Sequence, residues 1–299
     1  MKGRKHMREP VILSGARRPT ASGAALYQMA PCAASQMMGY LLRTRGGKLY
    51  CIDGGTRAEC AAFLDLARQA SGCLPGQRLH IDGWFLTHPH FDHVDAFLET
   101  VEKHLSEVQI DRVYYNFPST AYQETYEAIY AYTCRDLEKA YPLFASFAQV
   151  VQPGQRLDFG DVRFDVLACP DESIHENTGN NSSVVLRACL EGQTLLFLAD
   201  AGVEEGEALL RQYGQSLHAD YVQMAHHGQN GVSLEVYRAI NPSACLWSTP
   251  DWLWQNDSGT GYGSGPWKTF SVRCFMQDLG VNRHFVAKDG VWEIPLGDD

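Results

Sequence analysis

The stretch that decides the fold is Thr87–His93, with the sequence THPHFDH, which directly follows the apolar run Trp84–Leu86. It carries three histidines and one aspartate at H-x-H-x-D-H spacing. His88 and His90 lie two apart, so an extended segment projects both imidazoles to the same side. Asp92 and His93 follow the end of the strand, where a turn can direct them to a neighbouring position. The pattern therefore predicts a metal site with room for two adjacent ions.

These residues resemble the signature of the metallo-β-lactamase superfamily, in which H-x-H-x-D-H follows a strand. The resemblance implies an α/β fold, a four-layer αββα sandwich of two mixed β-sheets flanked by helices, with the metal site at one edge of the sheets. It extends to Asn180–Ser183 (NNSS), Leu198–Asp200 (LAD) and Ala225–Gly228 (AHHG), and so covers roughly residues 37–295. This combination is most similar to the soluble hydrolase domain of the bacterial competence DNA-uptake channel family. Ala199 stands where those hydrolases usually have glycine.

Composition limits the partners of the protein. A chain of 299 residues with 45% hydrophobic content can bury a sizeable core. The nine scattered cysteines, with no C-x-x-C pair, indicate reduced thiols and a cytoplasmic location. No run approaches the ~20 apolar residues of a membrane span. The net charge of −10 argues against a long duplex nucleic acid as a partner and favours a small molecule or a short phosphoryl ester.

The sequence predicts one main domain. Met1–Pro10 is basic and the region after it is broken by glycine, arginine and proline, so we expect residues 1–36 to be a leader and first strand region. Residues 37–299 would form the hydrolase domain. Tyrosine and phenylalanine recur at helical spacing between about residues 120 and 150, which predicts a packed helical insertion that could wall one side of the cleft. His284–Val286 and Val291–Ile294 are expected to form a closing hairpin.

The resemblance also implies the metal ligands, which all follow predicted strands. They are His88 and His90 for one metal, Asp92 and His93 for the other, Asp200 as the bridge, and His226 to complete the second site. His226 and His227 point in opposite directions if their strand continues, so only one can be a ligand. We assign that role to His226 and place His227 near the cleft as a proton donor or phosphate contact. Asp92, as ligand and acceptor together, and His227 are the predicted catalytic residues.

The third ligand of the first metal is open. Many superfamily members supply a histidine there, and the matching residue is Asn180. An amide oxygen is a weaker ligand than imidazole, which implies a loose site, a site filled only with substrate, or one selective for harder ions. His175 would fill the position if its loop folds back. We expect one or two divalent ions, Zn²⁺ first, with Mn²⁺ or Fe as alternatives.

Three further residues are candidates around the site. Asp53 ends a predicted strand and matches the superfamily aspartate behind the metal ligands; an N-cap for the helix Arg57–Ala70 explains it equally well, and both roles are compatible. Tyr262 and Lys268 lie in a stretch rich in glycine and aromatic residues, which we expect beside the substrate cleft.

The expected chemistry is hydrolysis by a metal-bound hydroxide. Neither a G-x-S-x-G motif nor a P-loop occurs in the sequence. A phosphodiester or related phosphoryl ester is the leading substrate class. The alternatives are a carboxylic ester, lactone or thioester, or a non-hydrolytic metal-binding or redox role of the same fold.

Overall fold

Two large β-sheets form the centre of the molecule. The computed structural model describes residues 8–13, 19, 22–33 and 35–297. Residues 1–7 of the predicted leader lie outside the described residues. The strands are β1 Val11–Leu13, β2 Ala24–Gln28, β3 Gly39–Arg43, β4 Leu49–Asp53, β5 Leu79–Ile81, β6 Gly83–Leu86, β7 Val108–Ile110, β8 Val113–Tyr115, β9 Ala148–Val150, β10 Arg156–Asp158, β11 Arg163–Ala168, β12 Val185–Leu190, β13 Gln193–Phe197, β14 Tyr221–Gln223, β15 Ala244–Trp247, β16 His284–Val286 and β17 Val291–Leu296.

Helices connect many of these strands. They are α1 Cys60–Ser71, α2 Phe91–Lys103, α3 Thr120–Tyr126, α4 Ala131–Phe144, α5 Val203–Tyr213, the single turn α6 Ala225–Gly228, α7 Leu234–Ile240, α8 Asp251–Trp254 and α9 Thr269–Asp278. Short 3-10 turns occur at Arg57–Glu59, Ala145–Phe147, Asn180–Ser182, Gly214–Leu217 and Ala287–Asp289. α3 and α4 lie within the stretch predicted as a helical insertion.

Each large sheet has an antiparallel half and a parallel half. The first sheet has the order β1-β17-β2-β3-β4-β6-β8-β9 and is parallel from β4 to β9. The second has the order β10-β11-β12-β13-β14-β15-β16 and is parallel from β13 to β16. β5 and β7 form a separate parallel pair. Since parallel strands share a direction, the parallel half of each sheet presents several carboxyl ends at one edge.

Alternation along β6 shows how the layers form. Trp84 faces outward, where its ring stacks on Phe63 of α1 at 5.3 Å and meets Phe97 of α2 edge-on at 5.3 Å. The next residue, Phe85, faces inward and packs on Phe164 of the second sheet at 4.4 Å. Successive residues of a strand point to opposite faces, so both faces of this sheet are buried.

The second sheet is covered in the same way. Its outer face packs under α5, α7 and α9 through Leu209, Tyr237 and Met276, all buried. Between the sheets, Tyr40 contacts Phe197 at 5.3 Å. The layers are therefore helices, sheet, sheet and helices, and the predicted αββα sandwich is confirmed.

One predicted pairing is wrong. β16 and β17 do not form a hairpin, because β16 pairs with β15 in the second sheet whereas β17 pairs with β1 and β2 in the first. The 3-10 turn Ala287–Asp289 carries the chain from one sheet to the other. β1 and β2 both lie within the predicted first strand region. Over the described ranges, none of the helices has the length and apolar character needed to cross a membrane.

Candidate metal centre

The candidate site lies where parallel strands of both sheets end. In the first sheet, β4 ends at Asp53 and β6 is followed by the H-x-H-x-D-H stretch. In the second, β13 leads to Asp200 and β14 leads to His226 and His227. β4 pairs in parallel with β6, and β13 with β14, so their carboxyl ends meet at one edge. Ligands characteristically bind outside the carboxyl ends of parallel strands.

The H-x-H-x-D-H stretch is divided between a tight loop and a helix. The amide of His90 donates a hydrogen bond to the carbonyl of His88 at 3.0 Å, and α2 begins at the next residue. Asp92 and His93 therefore lie in the first turn of α2, where a negative charge is favourable. All four side chains are buried.

Asp200 lies between two groups of ligand atoms. Its Oδ1 is 3.2 Å from Nε2 of His93, and its Oδ2 is 3.8 Å from Nε2 of His88. Oδ2 is also 3.5 Å from Nε2 of His227, which in turn lies 3.2 Å from Oδ2 of Asp92. Two triads, His88–His93–Asp200 and Asp92–His93–His227, each have their ligand atoms within 4.8 Å of one another. This is the arrangement that a bridging carboxylate needs.

The positions of His226 and His227 are the reverse of those predicted. Both residues have positive φ angles, 50° and 54°, so the chain turns instead of continuing β14 and the alternation argument does not apply. His227 is fully buried among the ligands. His226 lies at the rim, with its side chain 18% exposed and its Nε2 3.9 Å from Asp200 Oδ2. Contrary to the prediction, His227 and not His226 lies in a group of side chains that could hold a metal.

Hydrogen bonds from behind orient the imidazoles. Three Nδ1 atoms contact oxygens, and the pairs are His93 with Asp53 at 2.7 Å, His227 with the carbonyl of Ser248 at 3.0 Å, and His88 with Thr87 Oγ1 at 3.1 Å. A carbonyl and a carboxylate can only accept, so His93 and His227 donate from Nδ1. Their Nε2 atoms then point into the site as metal ligands would.

Asp53 holds this arrangement from behind. It is buried and accepts hydrogen bonds from the backbone amide and the hydroxyl of Thr87, at 2.8 and 2.7 Å, in addition to that from His93. The helical segment after it is capped by Thr56, which forms a capping box with Glu59. The alternative prediction that Asp53 is an N-cap is therefore wrong.

The residues fit a divalent metal. Several buried polar atoms lack a hydrogen-bond partner, and those at the site are His88 Nε2, His90 Nε2, Asp200 Oδ1, Asn180 Oδ1 and His226 Nδ1. Leaving one such group unsatisfied costs about 1–3 kcal/mol. Imidazole nitrogens and carboxylate oxygens are the donors that Zn²⁺, Mn²⁺ and Fe accept.

The buried carboxylates of the site also favour a bound cation. Burial raises the pKa of Asp200, but His93 and His227 outweigh it and hold that pKa well below the usual range. Burial lowers the pKa of His227, but Asp200 and Asp92 outweigh it and raise the pKa to about 9. The pKa of His93 is raised for similar reasons, through Asp200 and Asp53 against the effect of burial. Without metal, protons on these imidazoles balance the carboxylates, and metal ions would replace those protons.

Asn180 is buried and close to the ligand framework. Its Nδ2 donates to Asn177 Oδ1 at 2.8 Å, while Oδ1 has no partner. Ser183 connects it to the bridging residue, since its hydroxyl donates to the Asn180 carbonyl at 2.8 Å and accepts from the Asp200 amide at 3.1 Å. The N-x-x-S spacing thus connects the Asn180 backbone to the Asp200 amide through Ser183.

His175 lies outside the site. It is exposed, and its ring stacks on Tyr126 at 4.1 Å with an interplanar angle of 9°. The loop therefore does not fold back as the His175 alternative requires, and that alternative is corrected.

The two predicted cleft residues lie in different places. Tyr262 is exposed, packs on Phe270 at 5.0 Å, and lines a pocket of about 560 Å³ with Trp254 and Arg273. None of the residues that line that pocket belongs to the metal centre, so the structure does not bring Tyr262 to the site. Lys268 lines another pocket, of about 460 Å³, together with residues that follow the metal ligands.

Two glutamines that the sequence analysis missed link this second pocket to the ligands. Gln229 lines the pocket beside Lys268 and donates to Gln36 Oε1 at 3.3 Å. Gln36 Nε2 donates to Asp92 Oδ2 at 3.0 Å. Gln229 directly follows the A-H-H-G motif and could have been found from it, whereas no local signal marks Gln36.

Ala199 has a positive φ of 49° immediately before Asp200. Glycine adopts this conformation without strain, whereas a residue with a Cβ costs about 1–2 kcal/mol. The positive φ thus explains why glycine is expected at this position. Asp200 still lies among the ligand atoms although Ala199 replaces that glycine.

The comparisons with known proteins show the fold. No family model matches the sequence, and no curated protein matches it. The metallo-β-lactamase fold protein YhfI from Bacillus subtilis is 15% identical and superimposes with a TM-score of 0.50, over 90% of this chain and 99% of that one. CmlA, a diiron β-hydroxylase from Streptomyces venezuelae, is 15% identical with a TM-score of 0.52, over 93% of this chain and 55% of that one. The chain thus spans about half the length of CmlA. It has the metallo-β-lactamase fold, as predicted, and these comparisons do not extend to the competence-channel hydrolases.

Proposed function

We propose that this protein is a metal-dependent hydrolase. The observation that carries the proposal is the buried Asp200 carboxylate, which belongs to one triad of ligand atoms and lies 3.2 Å from His93 and 3.5 Å from His227 of the other. The residues that would hold two divalent ions are His88, His90 and Asp200 for the first, and Asp92, His93, His227 and Asp200 for the second.

Divalent metals at such a site lower the pKa of a coordinated water toward ~7 and polarise the group to be cleaved. The chain's own residues supply orientation and proton acceptance. Asp92 Oδ2 faces His227 at 3.2 Å and receives the Gln36 amide at 3.0 Å, so its position is fixed from two sides. His226 at the rim takes the role first assigned to His227, as a proton donor or phosphate contact. Burial lowers the pKa of His226, against the opposing effect of Asp200.

A small phosphodiester or related phosphoryl ester is the substrate class that we favour. The pocket of about 460 Å³, whose lining residue Gln229 is linked through Gln36 to Asp92, is within the usual size range for small ligands. Lys268 supplies a cation there, and Glu176, Glu204 and Glu235 supply carboxylates. The resemblance of the sequence motifs to those of competence-type hydrolases favours the same class. The net charge of −10 repels long polyanions over a Debye length of ~8–10 Å, so short or single-stranded substrates should be preferred to duplex DNA.

A non-hydrolytic iron protein is the second candidate. It is favoured by the structural likeness to CmlA, which is a diiron β-hydroxylase, and by a donor set of imidazoles and carboxylates that suits iron as well as zinc. Within the hydrolase class, a carboxylic ester, lactone or thioester is the runner-up.

Metal analysis followed by a substrate panel tests these alternatives. Elemental analysis of purified protein should find one to two equivalents, and the double variant His88→Ala, Asp92→Ala should lose them. The protein should then turn over small chromogenic phosphodiesters faster than esters or lactones. Turnover of lactones alone would favour the runner-up, and bound iron without hydrolysis of any substrate would favour the second candidate.

A further inference from the structure

A buried polar network crosses the space between the two sheets. Gln28 of β2 and Tyr40 of β3 lie directly opposite each other in the first sheet. The Tyr40 hydroxyl contacts Gln28 Oε1 at 3.2 Å and, at 2.8 Å, the hydroxyl of Ser248, which follows β15 of the second sheet. Gln28 Nε2 donates to the carbonyls of Trp247 and Phe285 at 3.2 and 3.1 Å. The network therefore joins the first sheet to the carboxyl end of β15.

The chemistry of the partners determines the direction of each hydrogen bond. Backbone carbonyls only accept, so the amide nitrogen of Gln28 faces them and its oxygen faces Tyr40. That oxygen also only accepts, so Tyr40 donates its single proton to it. The proton between Tyr40 and Ser248 must then come from Ser248. Burial raises the pKa of Tyr40, against the opposing hydrogen bond with Ser248, so the phenol keeps its proton at neutral pH.

These polar groups lie in a layer that is otherwise largely apolar. Tyr40 belongs to the same buried cluster as Leu26 and Leu246. Gln28, Tyr40 and Ser248 are all buried, and each polar atom of their side chains has a hydrogen-bond partner. Apolar side chains would fill this space without the cost of removing polar groups from water. A fully satisfied polar network instead specifies one arrangement of the groups that it joins.

The network ends at the residues that hold His227. The carbonyl of Ser248 accepts from His227 Nδ1 at 3.0 Å, and the hydroxyl of Thr249 donates to the His227 carbonyl at 2.6 Å. His227 needs such support, because its φ of 54° is strained for a residue with a Cβ. Tyr40 holds Ser248 by its side chain, and Gln28 holds the carbonyl just before it. The support of His227 thus begins in the first sheet.

We propose that Tyr40 is a positioning residue for the second metal, acting through Ser248 on the imidazole of His227. This proposal rests on the metal centre of the proposed function. The Tyr40 hydroxyl keeps Ser248 where its carbonyl accepts from Nδ1 of His227. Nε2 of that ring then stays directed at Asp92 and Asp200, whose Oδ2 atoms lie 3.2 and 3.5 Å away. Without the hydroxyl, Ser248 loses its acceptor in the first sheet, and the ring is held less firmly.

Metal titration of the full chain tests the proposal without reference to hydrolysis. The chelator-stripped protein is titrated with Co²⁺, whose absorption spectrum reports its ligands, and His227→Ala identifies the metal equivalent that depends on His227. Tyr40→Phe should weaken that equivalent by about three- to tenfold, which is less than the roughly 10–100-fold effect of losing a direct outer partner of a ligand. It should also change the spectrum of that equivalent and leave the other equivalent unaltered.

Tyr27→Phe is the matched control. Tyr27 is also buried, in β2, and its hydroxyl donates to Glu293 Oε1 at 3.2 Å, but it packs on the helix side of the first sheet in the cluster that contains Phe63. Both substitutions remove one buried hydroxyl and should lower the urea midpoint of the metal-free protein. Only Tyr40→Phe should also weaken the equivalent that depends on His227. Equal metal affinity in the two variants would show that Tyr40 is merely structural and would overturn the proposal.

A second variant keeps the test decisive if Tyr40→Phe fails to fold. Ser248→Ala removes the other half of the same hydrogen bond and keeps the carbonyl that His227 contacts. It should weaken the same equivalent, and parent affinity in this variant would overturn the proposal. Where both variants fold, the double variant should bind no more weakly than the weaker single variant, because the two changes remove one interaction. Effects that multiply would show that Tyr40 does not act through Ser248.

Failure of this proposal is distinct from failure of the proposed function. Two bound equivalents in the parent, with no response to Tyr40→Phe or Ser248→Ala, would overturn the role of Tyr40 alone. Two bound equivalents without turnover of any substrate would refute the hydrolase and leave the role of Tyr40 to the titration. A parent protein that binds no metal would refute both.

Discussion

The substitution Asp53→Asn should weaken metal binding without unfolding the protein. Asp53 accepts three hydrogen bonds, two from Thr87 and one from His93 Nδ1. Its backbone has φ +51°, a conformation that asparagine tolerates as well as aspartate does, so the change adds no backbone strain. The effect of the substitution is therefore confined to the carboxylate.

The magnitude follows from the hydrogen bonds. An asparagine side chain has a single acceptor oxygen, which can remain with the Thr87 amide. The NH₂ group then faces Nδ1 of His93, where it either opposes the Nδ1 proton or favours the tautomer that carries its proton on Nε2. Only the tautomer protonated on Nδ1 can bind metal through Nε2. Loss of such an outer partner typically costs 10–100-fold in metal affinity, or about 1.4–2.7 kcal/mol.

The assay is competition for Zn²⁺ against a chelator at pH 7, with urea unfolding of the metal-free protein as the check on folding. Asp220→Asn is the matched control. Asp220 accepts from the amide and hydroxyl of Thr194, both at 2.8 Å, and it precedes β14 at the end of the strand opposite His227. A folded Asp53→Asn protein whose affinity equals that of Asp220→Asn would refute this account of the centre.

Three further predictions follow from the same geometry. Gly179→Ala has ordinary backbone angles (φ −60°) but places a methyl group on His90 Nε2, so metal content should fall by about one equivalent and the overpacking should lower the free energy of unfolding by about 1–3 kcal/mol. His227→Ala should lose the second metal by elemental analysis, whereas His226→Ala should retain it and change only turnover; equal metal loss in both would contradict the exchange of their positions. In the metal-free protein, the raised pKa values of His227, about 9, and of His93 stabilise the fold below pH 6.5, and this stability is lost as pH rises toward 9. Urea unfolding in chelator across this range should show the decline, and a flat profile would argue against buried protonated imidazoles.

The sequence predicts the parts of the site that depend on local order. His88 to His93 and Asp200 follow apolar strands, and strand ends meet at one edge of a sheet, so their convergence could be foreseen. The exchange of His226 and His227 could not, because a turn through two positive φ angles breaks the alternation on which the assignment depended.

Tertiary contacts account for the other differences. Glu127 carries no motif, and it accepts from the Gly179 amide only because α3 and α4 fold back over the loop before Asn180. The β16 to β17 connection has the apolar pattern of a hairpin, yet its strands enter different sheets. Hydrophobic periodicity reports that a strand is buried and does not report which sheet it joins.

The candidate metal centre also lies where one edge of the first sheet meets one edge of the second. The first sheet contributes Asp53 and the H-x-H-x-D-H stretch, and the second contributes Asp200 and His227, so bound ions would tie the sheets together at one edge. Hydrogen exchange should show this directly. With metal, the amides of β6 and β13 should exchange only through global opening. With a chelator, the same amides should exchange faster, because the two sheets can separate locally at this edge. The amides of β2 and β17, which pair with each other within the first sheet, should keep their protection.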